Sequence, residues 1–232
     1  MSLRIAYMTG RYPRGTDTFI QREVAALRQR GAHVQTLSIR KPGPSHGAGP
    51  EQDNERRNTF YVLPPCPWDL FKSHCSLLFG LPGRYFSALR LAMKTRPPGL
   101  KALVWQLAYF AEAGIVASHI RRHELSHLHN HLSDSSCSVA MIASELGGFT
   151  FSFTMHGPAE FFEPERWRLD EKLRRALFVC CISHFCRSQG MIFAPPEKWD
   201  RMHIVHCGVD PDQFETSHHE GPGRQLLFVG RL

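Results

Sequence analysis

Apolar and polar residues follow one another along this chain in blocks whose period changes, and each change marks an element. LRIAYMT at 3–9 is a compact β-type run that gives way to GRYPRG at 10–15, a turn punctuated by glycine and proline. From Thr16 or Asp17, read as N-cap, the pattern becomes helical, with Ile20, Val24 and Leu27 on one face. It stops at Arg30-Gly31, a basic last turn with glycine beyond it. VQTLSI at 34–39 restores strand character. Strand, loop, helix, glycine and strand make one βαβ unit, whose crossover requires parallel strands.

The same alternation continues. Residues 42–58 are polar and predict a loop, 60–63 a short strand, and 103–122 a helix. SHLHNH at 126–131 fits a strand that points His127, His129 and His131 to one side. The helix after it has Ser133 or Asp134 as cap and carries Val139, Ile142 and Leu146 on one face. FTFSFT at 149–154 reads as a buried strand, 169–176 as a charged helix, and LFVCCI at 177–182 as an apolar strand with Ser183 capping the next helix. HIVHC at 203–207 predicts another strand, 216–224 a polar linker, and LLFVGRL at 226–232 the opening of one more strand. The expected architecture is α/β, a Rossmann-like parallel sheet flanked by helices.

One stretch breaks the pattern. Residues 64–100 mix Trp68, Phe71, Phe79, Tyr85 and Phe86 with Lys72, Arg84, Arg90, Lys94 and Arg96, against the single acid Asp69. Two ordinary core-packing helices are the first expectation, and a basic amphipathic face at a membrane surface is the alternative. The run 102–120, interrupted only by Glu112, is expected to be a buried helix rather than a membrane span.

Composition narrows the field. A length of 232 residues suits one large domain, or one domain with part of another. Lys and Arg number 28 against 21 Asp and Glu, which favours anionic partners such as phosphates, nucleotides or a lipid surface. The basic residues are scattered and form no nucleic-acid-binding motif, so no nucleic acid is expected. Seven cysteines, an odd number without zinc-ribbon spacing, point to reduced thiols and a cytoplasmic setting. The first residues do not have the pattern of a signal peptide.

The candidate chemistry gathers at predicted strand ends. His156 stands directly after the strand at 149–154 and just before Gly157-Pro158, and the carboxyl end of a strand is where open α/β sheets bind ligands. The turn at 10–15 is no dinucleotide fingerprint, but Arg11 and Arg14 beside a helix N-terminus fit an anion or sugar hydroxyls. Ser183, with Arg187 on the helix it caps, puts a second helix N-terminus at a strand's carboxyl end.

Taken in order, these segments resemble the N-terminal half of a GT-B fold glycosyltransferase, most closely family 4, the retaining enzymes of exopolysaccharide, colanic-acid and lipopolysaccharide biosynthesis. The resemblance is carried by Tyr12-Pro13, Thr18-Phe19-Ile20, Glu23 and Arg30-Gly31-Ala32-His33-Val34, then by His129-Asn130-His131, FSFTMHG at 151–157 and Cys181-Ile182-Ser183. VHCGVD at 205–210 and FVGRL at 228–232 complete it, while 64–100 carries none of it.

The resemblance implies an acceptor-side Rossmann-like domain at 1–217, and at 218–232 a linker with the first strand of a donor-binding domain. It implies His156 as the catalytic residue. Gly10, Arg11, Gly15, Thr16, His131, Asp134, Gly157, Glu160, Ser183 and Arg187 would bind substrate, and Gly230 and Arg231 the donor diphosphate. No metal and no cofactor are expected beyond a nucleotide-sugar co-substrate. The acceptor would be a glycan or lipid-linked molecule, reached from the cytoplasm through a peripheral contact with an anionic membrane. The family's lysine after Arg231 and its paired glutamates are absent, so the chain by itself is expected to be inactive. The family's acid soon after the histidine is also displaced, with Glu160 as its stand-in. A rival from another class is a metal-dependent hydrolase using His129, His131 and His156, with Asp134 nearby.

Overall fold

The computed structural model describes residues 3–43 and 49–209, with Pro211 and Phe228 besides. Its strands are β1 (Arg4–Arg11), β2 (His33–Arg40), β3 (Phe60–Leu63), β4 (His127–His131), β5 (Thr150–Met155), β6 (Val179–Cys181) and β7 (Met202–Ile204). They form one sheet in the order β3-β2-β1-β4-β5-β6-β7, and every neighbouring pair is parallel. This is the Rossmann-like α/β sheet that the alternating pattern predicts. The order reverses between β1 and β4, so a crevice opens there at the carboxyl ends of the strands.

Helices α1 (Thr18–Gln29), α2 (Pro50–Asn58), α3 (Pro67–Gly80), α4 (Pro82–Thr95), α5 (Leu100–Arg122), α6 (Ser135–Gly147), α7 (Leu169–Arg175) and α8 (His184–Phe193) flank the sheet. Period-two alternation in β1 divides the core. Ala6 and Met8 face the large cluster that includes Phe110, Val116 and Ile142, whereas Ile5 and Tyr7 face the smaller one with Ile20 and Val24 of α1. α5 is long and apolar enough to cross a membrane by length and composition. Its later turns pack into the large core through Phe110, Ala113, Val116, Ala117 and Ile120, as expected of a packing helix, while Leu100, Val104, Trp105 and Leu107 of its first turns are exposed.

Several boundaries differ from the sequence reading. The polar stretch predicted as a loop contains α2, which starts with Pro50 in its first turn and is held by Glu55. Glu55 accepts hydrogen bonds from Arg28 at 2.8 Å and from Thr36 at 2.7 Å. The helix is thus anchored by polar bonds and offers no apolar stripe for periodicity to detect. Asp17 stands at the N-cap position of α1 without capping it, because its carboxylate accepts from the Arg14 amide at 2.9 Å and from the Arg14 guanidinium at 2.8 Å. β7 ends at Ile204, so Val205, His206 and Cys207 lie beyond it. Residues 44–48 and the linker predicted at 216–224 lie outside the described residues, as does the terminal strand predicted at 226–232 apart from Phe228.

The basic aromatic stretch forms α3 and α4. They bury Leu77, Ala88, Leu91 and Ala92 in the large core, the core-packing outcome, and leave Trp68, Phe71, Phe79 and Phe86 exposed.

Candidate active site

The loops that follow β4 and β5 meet at the crevice, and one buried carboxylate joins them. Glu160 lies in a 3₁₀ turn at Pro158–Phe161. It accepts the backbone amides of Ser133 and His156 through separate oxygens and that of Gly157 at 3.2 Å. Burial raises its pKa, and the amide donors act against that rise. Gly157 has φ of 143°, a conformation that favours glycine, and so allows the chain to turn immediately after His156. Opposite, Asp134 caps α6 by accepting the Ser136 amide at 2.9 Å. The carbonyls of Ser133 and Asp134 take hydrogen bonds from the buried Lys172 ammonium at 2.6 and 2.9 Å.

Behind these loops lies a polar layer. His127, His129 and His131 project to one side of β4, as their spacing requires, and meet the hydroxyls of β5. Ser152 Oγ is 2.7 Å from His127 Nε2 and from His129 Nδ1, and Thr154 Oγ1 is 2.9 Å from His129 Nε2. His131 meets His156 instead, with His131 Nδ1 3.0 Å from His156 Nε2. On its other side His131 Nε2 is 3.7 Å from Glu23 Oε2, and Tyr7 donates to Glu23 Oε1 at 2.7 Å.

Burial sets the charge state of this layer. It lowers the pKa of His127 and of His156 to about 4, that of His129 to about 3, and that of His131 well below its ordinary value. The imidazoles are therefore neutral at pH 7, each able to donate from one ring nitrogen and accept at the other. Burial also raises Glu23 above the ordinary carboxylate range, against the opposing hydrogen bond from Tyr7.

His156 is half-buried, and its ring lies 4.7 Å from that of Phe19, centroid to centroid. It lines a cavity of about 430 Å³ together with Phe19, Glu23, Cys180, Ile182 and His206. A second cavity, of about 570 Å³, opens between the start of α5 and the chain before α7, where Arg40, Lys101, Trp105, Tyr109 and Trp167 face it.

The remaining predicted site residues fall into distinct places. Gly10 approaches Asp134 closely enough that a β-carbon on it would sit 3.8 Å from Asp134 Oδ2. Arg11, Gly15 and Thr16 are exposed at the mouth of the turn, while Arg14 is neutralised by Asp17. Ser183 accepts the Cys186 amide at 3.1 Å and is the cap of α8. Arg187 is committed to the carbonyls of Met202 at 2.9 Å and Trp199 at 3.3 Å. His131 is buried behind His156, and Glu160 is a brace inside the loop. Gly230 and Arg231 lie outside the described residues.

Tyr7 and Lys172 carry no site signal in the sequence. Glu23 was visible as one residue of the resemblance, four positions after Phe19 on the same helical face, without a role attached. Of the three histidines proposed as zinc ligands, His129 and His131 join Glu23 in a group whose ligand atoms lie within 4.8 Å of one another. Both ring nitrogens of His129 are taken up by hydroxyls.

No protein-family model and no curated protein matches the chain. Among solved structures it is similar to a glycosyltransferase from Rickettsia africae ESF-5, at 10% sequence identity and a TM-score of 0.46 over 91% of this chain and 45% of that one. The chain spans under half the length of that structure.

Proposed function

We propose that this chain is the acceptor-side half of a retaining glycosyltransferase of the GT-B, family 4 type, which transfers a sugar from a nucleotide-sugar donor to a glycan or lipid-linked acceptor of the cell envelope. The observation that carries the reading is the position of His156. It is a neutral, half-buried imidazole at the carboxyl end of β5, next to the crevice where the strand order reverses, with its neighbouring loops braced by Glu160 and Lys172. Such a ring can form a directed hydrogen bond with a sugar hydroxyl or with charge that develops during transfer.

The second cavity supports an acceptor on this side. Trp105, Tyr109 and Trp167 offer faces on which a sugar ring can stack, and Arg40 and Lys101 favour an acceptor that carries an anionic group. On this reading Gly230 and Arg231, outside the described residues, bind the donor diphosphate. The exposed aromatics of α3 and α4 suit a peripheral contact with an anionic membrane from the cytoplasmic side.

The test is His156→Ala in the protein that includes its donor-binding half. Sugar transfer should fall by about a hundredfold or more, the effect of losing one group that acts on the transition state. Undiminished transfer removes His156 from the site. The chain alone should bind UDP- and GDP-sugars very weakly, and micromolar binding in calorimetry would move the donor site into this half.

A second reading, a metal-dependent hydrolase, is favoured by the proximity of Glu23, His129 and His131. Stoichiometric zinc in the purified protein, with hydrolysis that chelation abolishes, would replace the transferase with it.

A further inference from the structure

Tyr7 of β1, Glu23 of α1, His131 at the end of β4 and His156 directly after β5 form a row that ends at the cavity. We infer that Glu23 and His131 are positioning residues for His156, holding its ring in the tautomer with hydrogen on Nε2 so that Nδ1 is presented as a hydrogen-bond acceptor. The inference rests on the reading of His156 as the group that meets substrate.

The direction of the row follows from its carboxylate end. Tyr7 Oη donates to Glu23 Oε1 at 2.7 Å, which leaves Oε2 as the atom turned to His131 Nε2 at 3.7 Å. His131 is 1% exposed, and its Nε2 has no hydrogen-bond partner, so Glu23 is the polar group that can satisfy it. With Glu23 ionised, the state that the Tyr7 hydrogen bond favours, a bare Nε2 would set two acceptors face to face in a buried place, at the cost of leaving both undersatisfied. Nε2 therefore carries the hydrogen of His131. A neutral imidazole then has its other nitrogen free of hydrogen, so His131 Nδ1 accepts. The atom 3.0 Å from it is His156 Nε2, which must donate. Each step fixes the next, and the hydrogen of His156 points inward. Phe19 packs against both rings, at 6.0 Å from His131 and 4.7 Å from His156, and so restrains a ring flip.

This polarity selects the ligand. An outward Nδ1 without hydrogen accepts from a hydroxyl and repels a phosphate oxygen, which has only lone pairs to offer. His156 thus faces a hydroxyl of donor sugar or acceptor, while the leaving diphosphate is held by other groups. No proton need change hands for this role.

The test is histidine ring nitrogen NMR on the ¹⁵N-labelled chain, with the His156 signals assigned by their loss in His156→Gln. The expected spectrum shows a protonated Nε2 and a bare Nδ1 at His156. Glu23→Gln preserves shape but reverses the row, because Tyr7 keeps the amide oxygen on its own side and the amide NH₂ then donates to His131 Nε2. The bare-nitrogen signal of His156 should move from Nδ1 to Nε2 in that variant, and Glu23→Asp should restore the wild-type pattern. A protonated Nδ1 in the wild-type chain overturns the inference, as does an unchanged tautomer in Glu23→Gln. The wild-type spectrum decides even where a variant fails to fold. These readouts do not involve sugar transfer. Full transfer by His156→Ala would thus remove the transferase reading and leave the positioning intact, whereas the wrong tautomer would do the opposite.

Discussion

Lys172 and Ser133 lie 39 residues apart, yet the ammonium of one donates to the carbonyl oxygen of the other across 2.6 Å in the interior. The same nitrogen reaches the Asp134 carbonyl at 2.9 Å, and the Trp167 ring lies 5.8 Å away. α7 thereby fixes the loop that follows β4 and, through the amide of Ser133, the carboxylate of Glu160 under His156. Lys172→Met fills similar space without a donor and strands the buried Ser133 carbonyl, while the Asp134 carbonyl keeps the Ser138 amide at 3.2 Å. The expected loss is about 1–3 kcal/mol, the cost of one unsatisfied buried group. In a chain of this size that is a fall in Tm of roughly 2–12 °C. A melting curve that matches the wild type would show that the ammonium does not hold the loop.

Glu160 can be tested without changing its shape. Glu160→Gln replaces one oxygen with an NH₂, which then faces a backbone N–H that it cannot accept. Whichever way the amide turns, an amide of Ser133 or of His156 loses its acceptor. The expected cost is about 2–3 kcal/mol, the range for a hydrogen bond to a charged acceptor together with the stranded donor. Urea unfolding should show a lower midpoint with an unchanged slope. An unaltered midpoint would mean that the loops after β4 and β5 are not joined through this carboxylate.

The buried imidazoles make stability depend on pH in a defined window. Burial holds His119, His127 and His156 at about 4 in the folded chain, against an ordinary value of 6.5. Between those values the unfolded chain takes up protons that the folded chain refuses, so the contribution of these three falls as pH drops from 6.5 toward 4, and His129, held at about 3, extends the fall. Each group contributes on the order of 1.4 kcal/mol per pH unit within the window. Glu171 acts lower down. Burial alone would raise its pKa, but hydrogen bonds from Arg174, Lys94 and Arg175 hold it at about 2, so its contribution is intact above 4.5 and is lost as pH falls toward 2. Thermal melts from pH 7.5 to 4.5 should therefore slope downward, and His127→Gln should flatten the slope. Glu112, which burial raises to about 7, works in the opposite sense over this range, so the deciding comparison is with the variant: a slope that His127→Gln leaves unchanged would show that this imidazole titrates freely.

How far the sequence discloses the site depends on the kind of force that makes each contact. Period-two spacing was enough to align His127, His129 and His131, because alternation along a strand is purely local. The caps Asp134 and Ser183 were legible for the same reason, since each bonds an amide within three residues. Lys172 was not, because LDEKLRR reads as a solvated helix and the carbonyls that draw its ammonium inward belong to a distant loop. α2 was hidden by the reverse problem. It carries no apolar face, and what fixes it is Glu55 bonding to Arg28 and Thr36. Arg14 looked like an anion-binding side chain until its guanidinium met Asp17, three residues on.

The exposed aromatics of α3 and α4 give the last prediction, and the structure decides which residues should test it. Charge reversal at Arg84 or Lys94 would be a poor probe. The Arg84 guanidinium packs against Gly148, where an added β-carbon would come within 2.9 Å of it, and Lys94 pairs with Glu171 at 3.1 Å. Reversing either charge would disturb the fold. Trp68 and Phe71 are better placed, because they are 59% and 57% exposed, stack on each other, and carry the Lys72 ammonium 5.1 Å from the Trp68 ring. An aromatic pair beside an ammonium suits the boundary between lipid headgroups and acyl chains. Vesicles with anionic lipid should carry the chain up in flotation, and less so as salt is raised. The double change Trp68→Ser and Phe71→Ser should weaken flotation about tenfold or more, at roughly 1.5–3 kcal/mol for each large apolar side chain withdrawn from lipid. Its Tm should stay within a few degrees of the wild type, since neither ring is buried in the core. Flotation that is equal with neutral lipid, or unchanged in the double variant, would take the membrane out of the account and leave α3 and α4 as a soluble packing layer.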